Sequence, residues 1–214
     1  MRPRRTDPGR RDRIIDVALE LIAEVGVAGV SHRRIAERAD VPLGSMTYHF
    51  AGMDEVLREA FTRFADRVAA SFEAHLSAAA DLEQAIVAVV DLIHELSGRA
   101  GGRDQVLTYE LYTLAARDPR FRAITTAWMA RSRHELERHF DPTVTRQLDA
   151  LVEGLALHRA LDDDPFDRAL TEDAVRKIVG LGKPAGQHEP AAQDEPAAQD
   201  ERTGQDQHAG PVRC

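Results

Sequence analysis

The sequence predicts an all-α protein. Its apolar residues recur three and four positions apart over most of the chain. Glycine is sparse inside those stretches, and no run alternates apolar and polar residues as a half-buried strand would. The 214 residues are 43% hydrophobic and only 5% aromatic, enough for one or two compact units with aliphatic cores. No stretch is apolar for long enough to cross a bilayer. The arginine-rich start, MRPRRTDPGRR, lacks the apolar segment that would follow in a signal peptide. Cys214 is the single cysteine, so one chain holds no disulfide or cysteine metal site, which fits a reducing cytoplasm.

The net charge of −8 hides an asymmetry. Residues 1–13 carry six arginines against Asp7 and Asp12, a net +4, whereas residues 183–214 carry a net −3. A basic end of this kind is a partner signal where the total is not.

Taken in order, residues 1–9 read as a disordered basic arm. Arg4 and Arg5, with Arg2, are candidates for a minor groove or adjacent phosphates, against the plainer reading of a solvated tail. Residues 10–53 read as a three-helix DNA-binding domain. A first helix from Arg10 to Val25 carries the stripe Ile14, Ala18, Leu21, Ile22 and Val25 and ends at Gly26. Arg11 and Arg13 at its start face phosphate or water. A second helix, from Ser31 to Ala39, has Ser31 as N-cap and Ile35 and Ala36 inward. Asp40 makes the turn, Val41 and Leu43 are apolar plugs, and Pro42 opens a short third helix ending near Tyr48. Its free face shows Gly44, Ser45, Thr47, Tyr48 and His49. A short helix with a small, hydrogen-bonding face behind a basic partner helix suits a DNA major groove. Candidate DNA contacts are therefore Ser31, Arg33, Arg34, Pro42, Gly44, Ser45, Thr47, Tyr48 and His49.

Residues 54–182 read as a second, helical domain. A helix from about Asp54 to Leu76, with the stripe Leu57, Phe61, Phe64, Val68 and Phe72, is long enough to tie the reader rigidly to the rest. Leu82–Leu96 shows a wide apolar face through Leu82, Ile86, Val89, Val90 and Ile93. Helices follow over about 105–117, 119–140 and 144–160, each ended by a proline or an Asp-rich break, and Thr171 caps a last one that Gly182 ends. Residues 183–214 are rich in Pro, Ala, Gln and Asp and repeat EPAAQD at 189–194 and 195–200, which reads as a disordered acidic tail.

The spacing of Ile35-Ala36-Glu37-Arg38-Ala39, Val41-Pro42-Leu43-Gly44-Ser45, Tyr48-His49-Phe50 and Glu55-x-Leu57 resembles the DNA-binding domain of the TetR family of bacterial repressors. The likeness is sharp over roughly residues 10–60 and architectural beyond. Two positions depart from the pattern: Asp40 stands where the family mostly has Gly, and Met53 where it usually has a phosphate-binding Lys. The resemblance implies a homodimer that reads a palindromic double-stranded operator and is released by a small-molecule effector. It implies that Gly44 permits close approach to bases while Tyr48 and His49 hold the DNA backbone. It also implies a dimer through the last two helices, for which Leu148, Leu151, Val152, Leu155, Val175 and Ile178 are candidates. Gly154 would let two helices cross closely there.

A ligand cavity between the long helices is implied in the same way. Glu110 shares a stripe with Leu107, Leu111 and Leu114 and, if turned inward, needs a cationic ligand or an arginine such as Arg131 or Arg133. Phe64, Phe72, His94, Trp128 and His158, with Tyr109 and Tyr112, are further lining candidates, each also readable as plain core.

Catalysis finds little support. His134-Glu135 and His139 are five apart rather than on one helix face, and there is no phosphate loop or nucleophile motif. No cofactor or metal is expected. The rival reading is a helical adaptor that kept the fold and lost DNA binding, for which Met53 and Asp40 speak.

Overall fold

The computed structural model describes residues 9–96, 102–164 and 167–181. Arg4, Arg5 and the segment expected to be an acidic tail lie outside them. Among the described residues the regular structure is entirely helical: α1 (Arg10–Val25), a 3-10 turn at Val27–Gly29, α2 (His32–Arg38), α3 (Leu43–His49), α4 (Met53–Ser77), α5 (Leu82–Leu96), α6 (Arg103–Ala115), α7 (Pro119–Leu136), α8 (Pro142–Leu161) and α9 (Arg168–Ile178).

Local chemistry sets most of the ends. The Ser31 hydroxyl accepts from the Arg34 N–H, and Asp118, Asp141 and Asp167 cap α7, α8 and α9 in the same manner. Asp40 adopts φ 51, the left-handed turn expected of it. Gly26 (φ 69, ψ 167) ends α1 in a conformation open in practice only to glycine.

Two apolar clusters form. The first joins α1, α2 and α3 to the front of α4 and to α6 and α7, around Ile14, Ile35, Met46, Phe61, Phe64 and Leu107. The second joins the end of α4 to α5, α8 and α9, around Phe72, Leu76, Ile86, Val89, Leu148 and Val175. Helix α4 runs through both, so the reader and the body share one continuous rod.

Several expectations are corrected. Thr171 does not cap α9: Asp167 does, and Thr171 lies fully buried one turn in, its hydroxyl 2.9 Å from His94 Nε2. Helix α9 ends at Ile178 with Gly180, at φ 82, two residues on, and Gly182, expected to end it, lies outside the described residues. Val25 and Leu82 are exposed despite sitting on their stripes. Leu43 is also exposed, and Met46, fully buried, plugs the core in its place. Leu148, Val152 and Val175 are sealed in this chain's own second core, so they offer no surface to another copy. Leu151, Leu155 and Ile178 pack partly against that core. The apolar groups left outward on α8 and α9 are Leu157, Leu161, which is 70% exposed, and Leu170, with Leu181 just beyond.

Candidate DNA-reading face and effector cavity

Helix α3 is only seven residues long, and the first core fixes which side faces out. Met46 and Ser45 point inward, Ser45 being 7% exposed, which removes it from the base-reading candidates. Pro42, Leu43, Gly44, Thr47 and Tyr48 remain outward, Tyr48 at 80% exposure. His49 is half-buried, its ring edge-on to Tyr48 at 4.9 Å. A Cβ built on Gly44 would meet nothing within 4 Å, so that stretch of helix is open to close approach.

The flanking arginines divide by role. Arg38 makes a two-pronged ion pair with Glu24, both contacts at 2.9 Å, and holds that carboxyl below its usual range. Arg34 donates to the Gly29 carbonyl at 2.6 Å. Arg11 binds Glu59 and Glu55 and lies over the Phe50 ring, tying α1 to α4. Arg33 is exposed and makes no ion pair or hydrogen bond among the described residues. It is the helix α2 cation left for a phosphate. Met53 packs against the first core at the start of α4.

In the body, a cavity of about 540 Å³ opens between α4, α6, α7 and α8. Residues Gln105, Thr108, Tyr109 and Tyr112 bring one stripe of α6 to it, Trp128 comes from α7, and Glu153, Gly154 and Leu157 from α8. The Tyr112 and Trp128 rings stack with centroids 5.9 Å apart and planes inclined by 26°. Phe64 backs Trp128 edge-on at 6.0 Å from within the core.

The charges around this cavity are unequally satisfied. Arg67 pairs with Asp104 at 2.6 Å, and Glu95 with His75 at 2.9 Å. Arg133 pairs with Asp149 at 3.0 Å. Among the described residues Glu153 has only the Tyr112 hydroxyl, which donates to Oε2 at 2.8 Å. Burial pushes the Glu153 carboxyl above its usual range, the Tyr112 hydrogen bond opposes this, and Asp149 adds to it. Burial and Glu153 likewise keep the Tyr112 phenol protonated. The Tyr109 hydroxyl is buried without a hydrogen-bond partner among the described residues. The cavity thus combines stacked aromatic faces, an uncompensated carboxylate and a free phenol.

Of the proposed effector contacts, Trp128 lines this cavity. Glu110 does not: its Oε1 lies 2.6 Å from where a Cβ on Gly26 would sit, at the seam between α6 and the end of α1. Arg131, offered as its partner, pairs with Asp66 instead. Leu107, Leu111, Phe64 and Phe72 are core, His94 faces Thr171 on α9, and His158 is exposed. Gly154 is a piece of cavity wall with no atom within 4 Å of a built Cβ. Glu153 was missed. Its signal was the acidic pair Asp149 and Glu153, one turn apart beside an otherwise leucine-rich stripe.

A helix-turn-helix joined to a helical body with an internal cavity is the arrangement of a transcriptional regulator, and the comparisons bear this out. Residues 14–60 match the family model of bacterial regulatory proteins of the tetR family, and residues 80–181 that of the tetracyclin repressor-like C-terminal domain. Over 80% of its length the chain is 61% identical to SCO7518 of Streptomyces coelicolor A3(2), described as a transcriptional regulator, covering 99% of that chain at a TM-score of 0.76. The multidrug binding protein EbrR, in its imidazole complex, is 36% identical at a TM-score of 0.68, with 81% of this chain and 96% of that one covered. EbrR structures with malachite green and ethidium match at 35% and 34% identity. The HTH-type transcriptional regulator BetI of Escherichia coli O157:H7 is 26% identical over 79% of this chain and 92% of its own. The chain belongs to the TetR family of bacterial transcriptional regulators. No helix among the described residues is long and apolar enough to cross a membrane.

Proposed function

We propose that this regulator is a cytoplasmic, homodimeric repressor that binds a palindromic double-stranded operator and is released from it by a small aromatic cation. The observation that carries the effector class is Glu153, a carboxylate on the cavity wall to which the described residues supply one hydroxyl and no paired cation. A planar cation fits this setting. It stacks on Tyr112 and Trp128 while its charge takes the place of the missing counter-ion. Malachite green and ethidium, found with EbrR, are both aromatic cations, which supports the same class here.

Dimerisation is supported by the leucines left outward on α8 and α9, which suit packing against their twofold copies. Two readers on one twofold axis match a palindrome. Release follows from the place of α6: one stripe lines the cavity, and Glu110 on another side meets Gly26 at the end of α1. An effector that favours a different seat for α6 and α4 shifts the two readers out of register with the DNA. The size of the effect is set by its differential affinity for the two states.

The test is fluorescence anisotropy of a duplex enriched from a random library by the full-length protein. Malachite green, titrated around its dissociation constant for the wild type, is expected to weaken duplex binding by Glu153-intact protein and to release Glu153→Gln only at about tenfold higher concentration. Release of both proteins alike, or of neither, would sink the effector assignment.

A further inference from the structure

The outward face of α3 carries an unusual chemistry for a base reader. Residues 41–50 contain no Asn, Gln, Arg or Lys, the side chains that make bidentate hydrogen bonds to purine edges. The hydroxyls present are otherwise engaged or placed. Ser45 is turned inward, and Thr47 Oγ1 donates back to the Gly44 carbonyl at 3.3 Å, leaving its methyl as the free part of the side chain. Tyr48 projects from the far end of the helix, where the family resemblance assigns it to the DNA backbone. What faces outward from the first turn is Leu43, 54% exposed, with Thr47 one turn behind it on the same stripe and the bare backbone of Gly44 between them.

The first turn of the reader helix is the part that meets base edges. Leu43 offers those edges no donor and no acceptor. The apolar group that a major groove displays is the 5-methyl of thymine. Gly44 lets the helix approach closely enough for van der Waals contact with it. Orientation and phosphate binding then fall to the far end of the helix, at Tyr48, and to groups on other elements, Arg33 among them.

We propose that Leu43 and Thr47 are the specificity-determining pair of this regulator, reading thymine 5-methyl groups in each half-site through apolar contact in place of hydrogen bonds from amide or guanidinium side chains. The proposal rests on the operator-binding reading above and names what in the operator is recognised.

The test uses the duplex enriched from the random library. Its thymines are replaced one at a time by deoxyuridine, which removes the methyl and keeps the base pair and every hydrogen-bonding edge. At one or two positions per half-site the substitution should weaken binding by wild-type protein about threefold to tenfold, the worth of one buried methyl. Leu43→Ala should bind the parent duplex more weakly and lose that sensitivity at its own position. Thr47→Ser, which keeps the hydroxyl and drops the methyl, should do so at the other. Thermal melting confirms that both variants are folded. Binding within twofold after every half-site thymine is replaced would overturn the proposal, as would variants that keep the full sensitivity of the wild type. Failure to enrich any duplex at low salt would instead overturn the operator reading beneath it.

Discussion

The Tyr112 hydroxyl donates to the Glu153 carboxylate at 2.8 Å on the cavity wall and is the single hydrogen bond that this acid receives from the described residues. A half-satisfied acid in an aromatic chamber is costly when the chamber is empty and useful when a cation enters it. Glu153→Gln should therefore weaken ethidium binding by about tenfold or more, since a bond to a charged group is lost. Fluorescence titration of the full-length chain measures it, and unchanged affinity would remove Glu153 from the site.

Acidity follows from the same pair. Glu153 has its folded-state pKa raised above the ordinary 4.5, so the folded chain holds a proton that the unfolded chain releases. Ionisation of this group costs the fold nothing below pH 4.5; the penalty grows as pH rises from there to the raised folded value, and then stays constant. Glu153→Gln should accordingly raise Tm at pH 7–8 and give no gain near pH 4. Wild-type affinity for ethidium should rise with pH over the same window, and the Gln variant should show no such rise. Melting and titration series from pH 4 to 8 decide both.

On the reader, Tyr48→Ala removes an 80% exposed ring and should lower operator affinity while leaving Tm within a degree or two. Arg33→Ala should weaken binding to all sequences alike and reduce the slope of log K against log salt by about 1, the signature of one lost phosphate contact. A salt slope unchanged in Arg33→Ala would show that its exposed guanidinium does not meet DNA.

At the seam between reader and body, Gly26→Ala should cost about 1–3 kcal/mol, because φ 69 with ψ 167 is held in practice by glycine alone. The added Cβ would also meet Glu110 Oε1 at 2.6 Å. Glu110→Ala in the same chain should recover the steric part and leave the backbone part, which chemical denaturation of the single and double variants separates. Full recovery would place the whole cost in the clash.

Most of the architecture was legible in the sequence, and the failures have physical causes. Helix α1 ended where Gly26 said it would, and the Asp40 turn is left-handed as read. The long stripe of α4 identified its buried face from Leu57 to Phe72 because it repeats over many turns. Helix α3 has too few turns for periodicity to decide its orientation, so Leu43 and Ser45 were assigned to the wrong sides. Glu110 and Glu153 posed a different difficulty. Both are carboxylates beside apolar stripes, and only the packing of α6 against α1 on one side and the cavity on the other tells them apart. Leu148, Val152 and Val175 left the list of dimer candidates for a related reason: a leucine stripe marks a buried face without saying whether the same chain or a second one buries it.

Helix α4 sets a rule for anyone recombining these parts. Because Phe61 and Phe64 belong to one core and Phe72 and Leu76 to the other, a cut within α4 severs a shared beam, and a cut at residue 53 leaves the beam whole but splits the first core. Grafting this sensor onto a foreign reader calls for a junction that keeps α4 whole, with the apolar surface of the donor's α1 matched to Phe61 and Leu107. Swapping only the outward side chains of α3 leaves both cores untouched and retargets the protein at far smaller structural risk.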